Sequence, residues 1–396
     1  MFELLTIPTV LLASALFSKK FKMSDKKKIS RFFEIANICV KHKDNSLEYP
    51  RFIKQEVSEN STVYLYKLPI GIPSQLIKKL DEVIAEGINK PIKVTYESPW
   101  LRIQAFEQDI PKNWDWNEMN LKPRSWSVLI GKTLDESMYH DFDKVPHMTI
   151  AGMTRYGKTV LIKNLVTNLI LQQTQNVHFF IIDLKAGLEF GRYRNLEQVK
   201  QVAENPAEAL EMLFSIHEMM LKQVELMKQS YLTNIVDTSI RDRFFIIVDE
   251  GANLAPSQGM PKKQKDMLYM CQNLLSEIAR VGGALGFRLV FCTQYPTSDT
   301  LPRQIKQNAD CKIGFRLPTA VASQVAIDET GLEELPSIAG RALFKTDRIY
   351  ELQVPYLSDK SMWSLLQKYE VMKCVKAKTS KVETESKAHR NFIEFE

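Results

Sequence analysis

GMTRYGKT, residues 152–159, holds the plainest chemistry in this chain. Gly152, Gly157, Lys158 and Thr159 fit the spacing G-x-x-x-x-G-K-[ST], in which backbone N–H groups cradle phosphates. The placement suits the mechanism. The apolar run HMTIA precedes the loop and the helix-like run KTVLIKNLVTNLIL follows it, so a helix N-terminus and its dipole face the phosphates. Lys158 then reaches the β- and γ-phosphates of ATP, and Thr159 ligates Mg²⁺. Met153, Thr154, Arg155 and Tyr156 line the cradle through their backbone, with side chains projecting outward. Arg155 and Tyr156 are bulky where such loops usually carry small residues, which raises the question of what they do. The competing reading is a plain glycine-bearing strand-to-helix turn.

The second half of a hydrolytic site is FFIIVDE, residues 244–250. Its apolar strand residues lead to Asp249, placed to hold Mg²⁺ through water, and then to Glu250, placed to polarise an attacking water. A carboxylate directly after the metal-holding aspartate points to hydrolysis rather than to binding alone. VFCTQ, residues 290–294, ends a third strand; Thr293 and Gln294 would sit beside Asp249, within reach of the γ-phosphate. The alternative there is a polar strand exit.

These three strand ends need a sheet to align them. HMTIA (147–151), NVHFFIID (176–183), FFIIVD (244–249) and FRLVFCT (287–293) are short and continuously apolar, as strands of a parallel sheet buried on both faces are. Helices are expected over 158–172, 206–229 and 264–280. The pattern is an α/β doubly wound core. Ahead of it the period changes. Residues 24–43 read as one helix capped by Ser24; 62–68, 91–97 and 100–106 read as strands; 73–87 reads as an amphipathic helix. This makes a small α+β module over about 49–106, followed by a tryptophan-bearing connector at 107–125.

Composition is consistent with a globular chain. Of 396 residues, 44% are hydrophobic and 25% charged, which excludes a mostly disordered protein. The net charge of +6 permits an anionic partner such as DNA without demanding one. The five cysteines are scattered with no CxxC pair, and the six histidines show no ligand spacing, so neither a disulfide framework nor a zinc site is expected. The exception is LLTIPTVLLASALF, Leu4 to Phe17, followed by Lys19, Lys20, Lys22, Lys26, Lys27 and Lys28. It is short for a membrane span, but charge after an apolar run would hold the rest of the chain in the cytoplasm. The expectation is a single-pass segment in the cell membrane with a cytoplasmic C-terminal body. The alternative is a core or membrane-surface helix in a cytoplasmic protein.

Several stretches together carry a family resemblance. VPHMTIAGMTRYGKT resembles the P-H-x-x-x-A-G-x-T-x-x-G-K-[ST] run of the FtsK/SpoIIIE DNA translocases, within the HerA-like motors. IIDLK (181–185), VDE, TQYP (293–296), IKQNADCKIGFRLPTAVASQVAID (305–328) and GLEELPSIAGRALF (331–344) follow in that family's order. The resemblance covers roughly 126–357, and the module at 49–106 also looks like the domain that precedes the motor. It implies a RecA-like P-loop ATPase that forms a hexameric ring around double-stranded DNA, with sites between subunits and an arginine supplied by the neighbour. Arg280 is the first candidate for that finger and Arg316 the second; the family usually carries a further arginine where this chain has Gly283. Lys262, Lys263, Lys265, Arg303 and Lys306 are the candidates for pore contacts to DNA phosphates.

The resulting division is a hydrophobic segment (1–22), a helical linker (23–48), the small α+β domain with its connector (49–125), the ATPase motor (126–357), and a C-terminal helix and charged tail (358–396). No winged-helix module, four-helix membrane domain or long linker is legible. The compact plan resembles coupling or transfer proteins of conjugative and mobilisable plasmids, or plasmid maintenance factors. Relaxase and secretion-channel proteins are then the expected partners. A different class of reading is a membrane-anchored docking protein that binds ATP and recruits a relaxase–DNA complex without processive translocation.

Overall fold

Residues 23–72 and 80–371 are described by the computed structural model of the chain. The apolar run at 4–17, residues 73–79 of the helix expected over 73–87, and the tail after 371 lie outside them. Among the described residues no helix is long and apolar enough to cross a membrane.

The first elements are α1 (Asp25–Ile35), the two-residue strands β1 (Val40–Lys41) and β2 (Leu47–Glu48), β3 (Arg51–Val57), β4 (Ser61–Lys67), α2 (Leu80–Ile88), β5 (Ile92–Glu97) and β6 (Trp100–Phe106). The strands β3 to β6 form an antiparallel sheet in the order β3-β4-β6-β5. Ile29 and Phe33 of α1 and Ile84 of α2 cover one face of it, against Tyr66, Leu101 and Ile103. Residues expected as a helical linker thus supply part of this module's core.

The helix expected over 24–43 is shorter than its periodicity suggested. Asn37 turns into the left-handed region at φ 51°, and the Ile38 N–H bonds back to the Phe33 carbonyl at 2.9 Å. Ile38 is thereby folded into the core, and the chain leaves as the β1–β2 hairpin. Ser24 stands at the cap position, but its side chain makes no capping bond.

The second region holds β7 (Ser127–Lys132), β8 (Ser137–Asp141), β9 (Met148–Ala151), α3 (Lys158–Gln172), β10 (Val177–Ile182), β11 (Val199–Ala203), α4 (Pro206–Gln229) and β12 (Arg243–Val248). It continues with α5 (Lys262–Val281), β13 (Phe287–Thr293), α6 (Arg303–Asn308), β14 (Cys311–Phe315), α7 (Ala320–Ile327), β15 (Arg341–Lys345), β16 (Ile349–Gln353) and α8 (Asp359–Leu366). Among the described residues its sheet has ten strands in the order β11-β10-β12-β13-β9-β14-β15-β16-β7-β8. The run from β11 to β14 is parallel; β15, β16, β7 and β8 continue it antiparallel.

Both faces of the parallel part are covered, which is why its strands read as unbroken apolar runs. Leu161, Leu165 and Leu169 of α3 pack on Ile150, Phe179 and Phe245 on one side. Met212 and Ile216 of α4 with Leu275 and Ile278 of α5 pack on Ile246, Leu289 and Phe291 on the other. The start of α4 is set by Asn205, whose side chain accepts from the N–H groups of Ala207 and Glu208 at 3.1 and 3.0 Å, and by Pro206 behind it. In this order β13 lies between the strand that ends in the glycine loop and the strand that ends in Asp249. All three candidate strand ends therefore meet at one edge.

Candidate functional site

Backbone geometry explains the glycines of the loop. At Gly152 a Cβ would lie 2.6 Å from the Phe315 Cβ, and at Gly157, with φ 112°, it would press on the Gly340 backbone at 3.1 Å. Only glycine lets the loop turn this tightly against β14 and the segment before β15. The two bulky residues divide. Tyr156 is a fastener: its carbonyl accepts the Gly340 N–H at 2.9 Å and its hydroxyl meets Ser337 Oγ at 3.0 Å. It pins the 331–344 stretch to the loop. Arg155 is exposed and left-handed, with φ 72°, and it lines the cavity above the loop.

Lys158 opens α3 with only 4% of its surface exposed. Burial holds its ammonium below the ordinary lysine value, while nearby Glu250 pulls the other way. Its Nζ lies 3.5 Å from Glu250 Oε2. Glu250 is fixed from the opposite side: its Oε1 accepts the Gln294 N–H at 3.0 Å and stands 3.5 Å from Thr293 Oγ1. The Gln294 side chain in turn accepts from Thr154 Oγ1 at 2.9 Å. The β13 end thus ties the glycine loop to the carboxylate expected to activate water.

Asp249 is completely buried. Its Oδ2 accepts from Lys185 Nζ at 2.9 Å, and its Oδ1 has no hydrogen-bond partner among the described residues. A buried carboxylate oxygen left unpaired is costly unless a cation completes it. With Asp249 Oδ1 uncommitted and Thr159 lining the cavity from the first turn of α3, the oxygen donors present fit Mg²⁺, a hard cation that takes oxygen ligands.

Lys185 is the residue that sequence reasoning underused. It follows β10, bonds Asp249, and stands 3.9 Å from Glu250 Oε2. Desolvation works against its charge, but the Asp249 hydrogen bond and the two carboxylates prevail and raise its pKa. The signal was present in IIDLK, where a lysine follows a buried strand aspartate. That aspartate, Asp183, accepts the backbone N–H groups of Lys185, Glu189 and Phe190, which orients the turn carrying Lys185.

The remaining candidates are placed differently. Arg280 sits in the last turn of α5, which runs back from the site end of β12, so it lies at the far end of the sheet from its own glycine loop. It is exposed and 3.5 Å from Glu277 Oε1. Arg316 follows β14 beside the loop; its carbonyl accepts the Met153 N–H at 3.2 Å and its guanidinium binds the Leu335 carbonyl. Position 283 has no room for a side chain, since a Cβ there would be 2.7 Å from Pro146 Cγ. The further arginine that the resemblance led one to expect at this position is sterically excluded. Lys262, Lys263 and Lys265 start α5 at the site end of the sheet, whereas Arg303 and Lys306 lie on α6, which leads into the start of β14 at the opposite end. Lys306 is engaged internally with Asp328 Oδ1 at 2.7 Å and the Gln324 carbonyl at 3.0 Å, which argues against it as a DNA contact. Lys262, Lys263 and Arg303 are exposed.

The sequence profile of the FtsK/SpoIIIE family matches residues 111–244. The DNA translocase FtsK of Chlorobaculum tepidum is 27% identical over 252 residues, 58% of this chain and 30% of that protein. That of Streptococcus pneumoniae is 23% identical over 341 residues, 77% of this chain and 42% of that protein. The chain thus spans less than half the length of these relatives. Among solved structures, the pCW3 conjugation coupling protein TcpA, in a monomer form with ATPγS, is similar over 87% of this chain and 99% of its own, at 22% identity and a TM-score of 0.63. The cytoplasmic domain of the Thermomonospora curvata Type VII secretion ATPase EccC is similar over 66% of this chain and 33% of its own, at 23% identity and a TM-score of 0.53. These structural likenesses establish the fold.

Proposed function

Since residues 111–244 form an FtsK/SpoIIIE-family domain, we propose that this chain is an ATP-driven double-stranded DNA translocase. The observation that carries the ATPase half is the convergence of Lys158, Asp249, Glu250 and Gln294 at one sheet edge, with Glu250 held by the Gln294 N–H. Glu250 keeps Oε2 directed toward the phosphate lysine, where a carboxylate can orient a water and take its proton. Lys158 balances charge on the phosphates. Thr159 and Asp249 would hold Mg²⁺, which when bound neutralises the phosphate oxygens. The Thr154–Gln294–Glu250 chain of hydrogen bonds gives a route by which a change at the loop reaches the water-activating carboxylate.

The translocase half draws on the family domain and on the FtsK relatives. A hexameric ring with DNA in its pore fits Arg280, which is exposed at the far end of α5 and could serve only a neighbour's site. The pore-facing residues are then Lys262, Lys263, Lys265 and Arg303. The likeness to a conjugation coupling protein over nearly its whole length supports a role in plasmid transfer, with a relaxase and a secretion channel as partners and residues 4–17 as the membrane anchor. The same likeness favours the second reading, an ATP-binding docking protein. ATPase rate with and without long linear double-stranded DNA, beside Lys158→Ala, separates the two. Stimulation that the variant abolishes supports the motor; a flat rate with intact ATP binding leaves the docking role.

A further inference from the structure

The cavity above the glycine loop extends past the loop to the chain that follows β16. It encloses about 450 Å³ and runs from Lys185 and Gln294, past Lys158 and Thr159, to Trp114, Val354 and Tyr356. Its ends differ in kind. One carries Lys158, Lys185 and Gln294; the other carries two aromatic rings that neither phosphate chemistry nor core packing uses. We propose that Trp114 and Tyr356 form the seat for the purine base of the nucleotide, an inference that rests on the ATPase reading above.

Strand order supports the direction. β13, with Gln294 at its end, lies on one side of β9; β14, β15 and β16 lie on the other. A triphosphate whose terminal phosphate meets Lys158 runs along the loop into the first turn of α3, so its base emerges on the β16 side. The chain leaving β16 carries Val354 and Tyr356 to that point, and the tryptophan-bearing connector brings Trp114 beside them. The Tyr356 N–H donates to the Trp114 carbonyl at 2.7 Å, and the Trp116 N–H donates to the Tyr356 carbonyl at 3.0 Å.

This strap is anchored to the loop's own helix. Trp116 Nε1 donates to Asn168 Oδ1 at 2.8 Å, and Asn164 Nδ2 donates to the Pro355 carbonyl at 2.6 Å. Arg341 holds the Ile110 carbonyl at 3.0 Å. Base seat and phosphate cradle are therefore one rigid piece, the support a binding site requires. Tyr356 is 58% exposed at the cavity mouth, leaving a ring face open to stacking. A purine offers that face more overlap than a pyrimidine.

The test compares binding of Mg-ATP and Mg-tripolyphosphate to the full chain. Tyr356→Ala and Trp114→Ala should each weaken ATP roughly tenfold, within the range a stacked base supplies, and leave tripolyphosphate within about twofold. Trp114→Phe should keep most of the ATP affinity, and Tyr356→Ala removes an exposed side chain that folding does not need. Unchanged ATP binding in both alanine variants, or parallel loss of both ligands, overturns the base seat while leaving the phosphate site standing. If Lys158→Ala alters neither ligand, the ATPase reading falls and the seat with it.

Discussion

The two ends of the large sheet each bury a cluster of opposite charges, and the clusters are built differently. At the far end Asp143 receives both Arg243 and Arg288: Oδ1 accepts from Arg243 Nε at 2.8 Å and from Arg288 at 2.7 Å, and Oδ2 from Arg243 at 3.1 Å. The spare guanidinium hydrogens go to the carbonyls of Ile240, Asp242, Gly283 and Phe287, and Arg288 Nε is the cluster's one unpaired atom among the described residues. At the site end two lysines face two carboxylates with slack: Lys158 stands 3.5 Å from Glu250, and Asp249 Oδ1 has no partner among the described residues. A closed network of this kind clamps β12 and β13 in register. A loose one keeps donors and acceptors available to a ligand. Buried charge alone does not mark a functional site; a buried carboxylate oxygen left without a partner among the described residues, as at Asp249, does.

The most severe test of that contrast is Asp143→Ala. It leaves two fully buried guanidiniums without their carboxylate and should cost about 3–5 kcal/mol of folding stability, read from urea unfolding. ATP affinity of the folded protein should hardly move. A cost below about 1 kcal/mol would mean the network is not the clamp described. Glu250→Gln probes the other end. It keeps the shape and removes the base, so turnover should fall about a hundredfold or more while ATP binding persists. Turnover within tenfold of the unaltered chain would remove Glu250 from the chemistry.

Sequence made the site end largely legible, and the reason is local. The glycine loop, the two acids and the strand-end glutamine each follow an apolar run, and parallel strands buried on both faces read plainly. FRLVFCT became β13 over its full predicted length, and the helices at 158–172 and 206–229 have their predicted ends. What failed depends on partners distant in the chain. β7, β8, β15 and β16 pair antiparallel beyond the parallel core, with half-polar patterns such as IYELQ that give no clear period. β11 is held by an edge pairing with β10. The clamp was illegible for the same reason: Asp143 and Arg288 are 145 residues apart, and nothing in FDK or FRL announces the other. Lys185 lay between, visible in IIDLK but with no local cue that it would bond Asp249.

A milder perturbation is acid, and it should act on the far end first. Burial holds His147 down at about 3 and His140 at about 4, and Arg288 also disfavours the charged His147. The neutral His147 ring accepts the Leu289 N–H at its Nδ1, 3.0 Å away. Both folded values lie below the ordinary 6.5, so the unfolded chain takes up protons that the folded chain refuses. Stability is then full above about pH 6.5 and falls as pH drops toward the folded values, by about 2 kcal/mol per histidine at pH 5. Urea midpoints at pH 7 and 5 measure it. His147→Asn, whose amide oxygen can take the Leu289 N–H, should remove about half the loss; an unchanged pH dependence would exonerate that ring.

The finest distinction concerns what Lys185 does in the loose cluster. Its ammonium already neutralises Asp249 Oδ2 at 2.9 Å, so a cation arriving at Asp249 has to compete with it. If that competition is its main effect, Lys185→Met should lower the Mg²⁺ concentration that half-saturates binding of a fluorescent ATP analogue. The shift should be roughly two- to fivefold, the worth of one part-exposed ion pair. Nucleotide affinity at saturating Mg²⁺ should stay nearly constant. Because the substitution leaves Asp249 buried without its counter-ion, the variant should also melt lower without Mg²⁺ and recover when it is added. A lysine that instead grips phosphate predicts the opposite: weaker nucleotide binding at every Mg²⁺ concentration and no rescue of the melting point by the metal alone. The far-end cluster offers the control, since Asp143 has no cation to exchange and its variant's stability should ignore Mg²⁺ altogether.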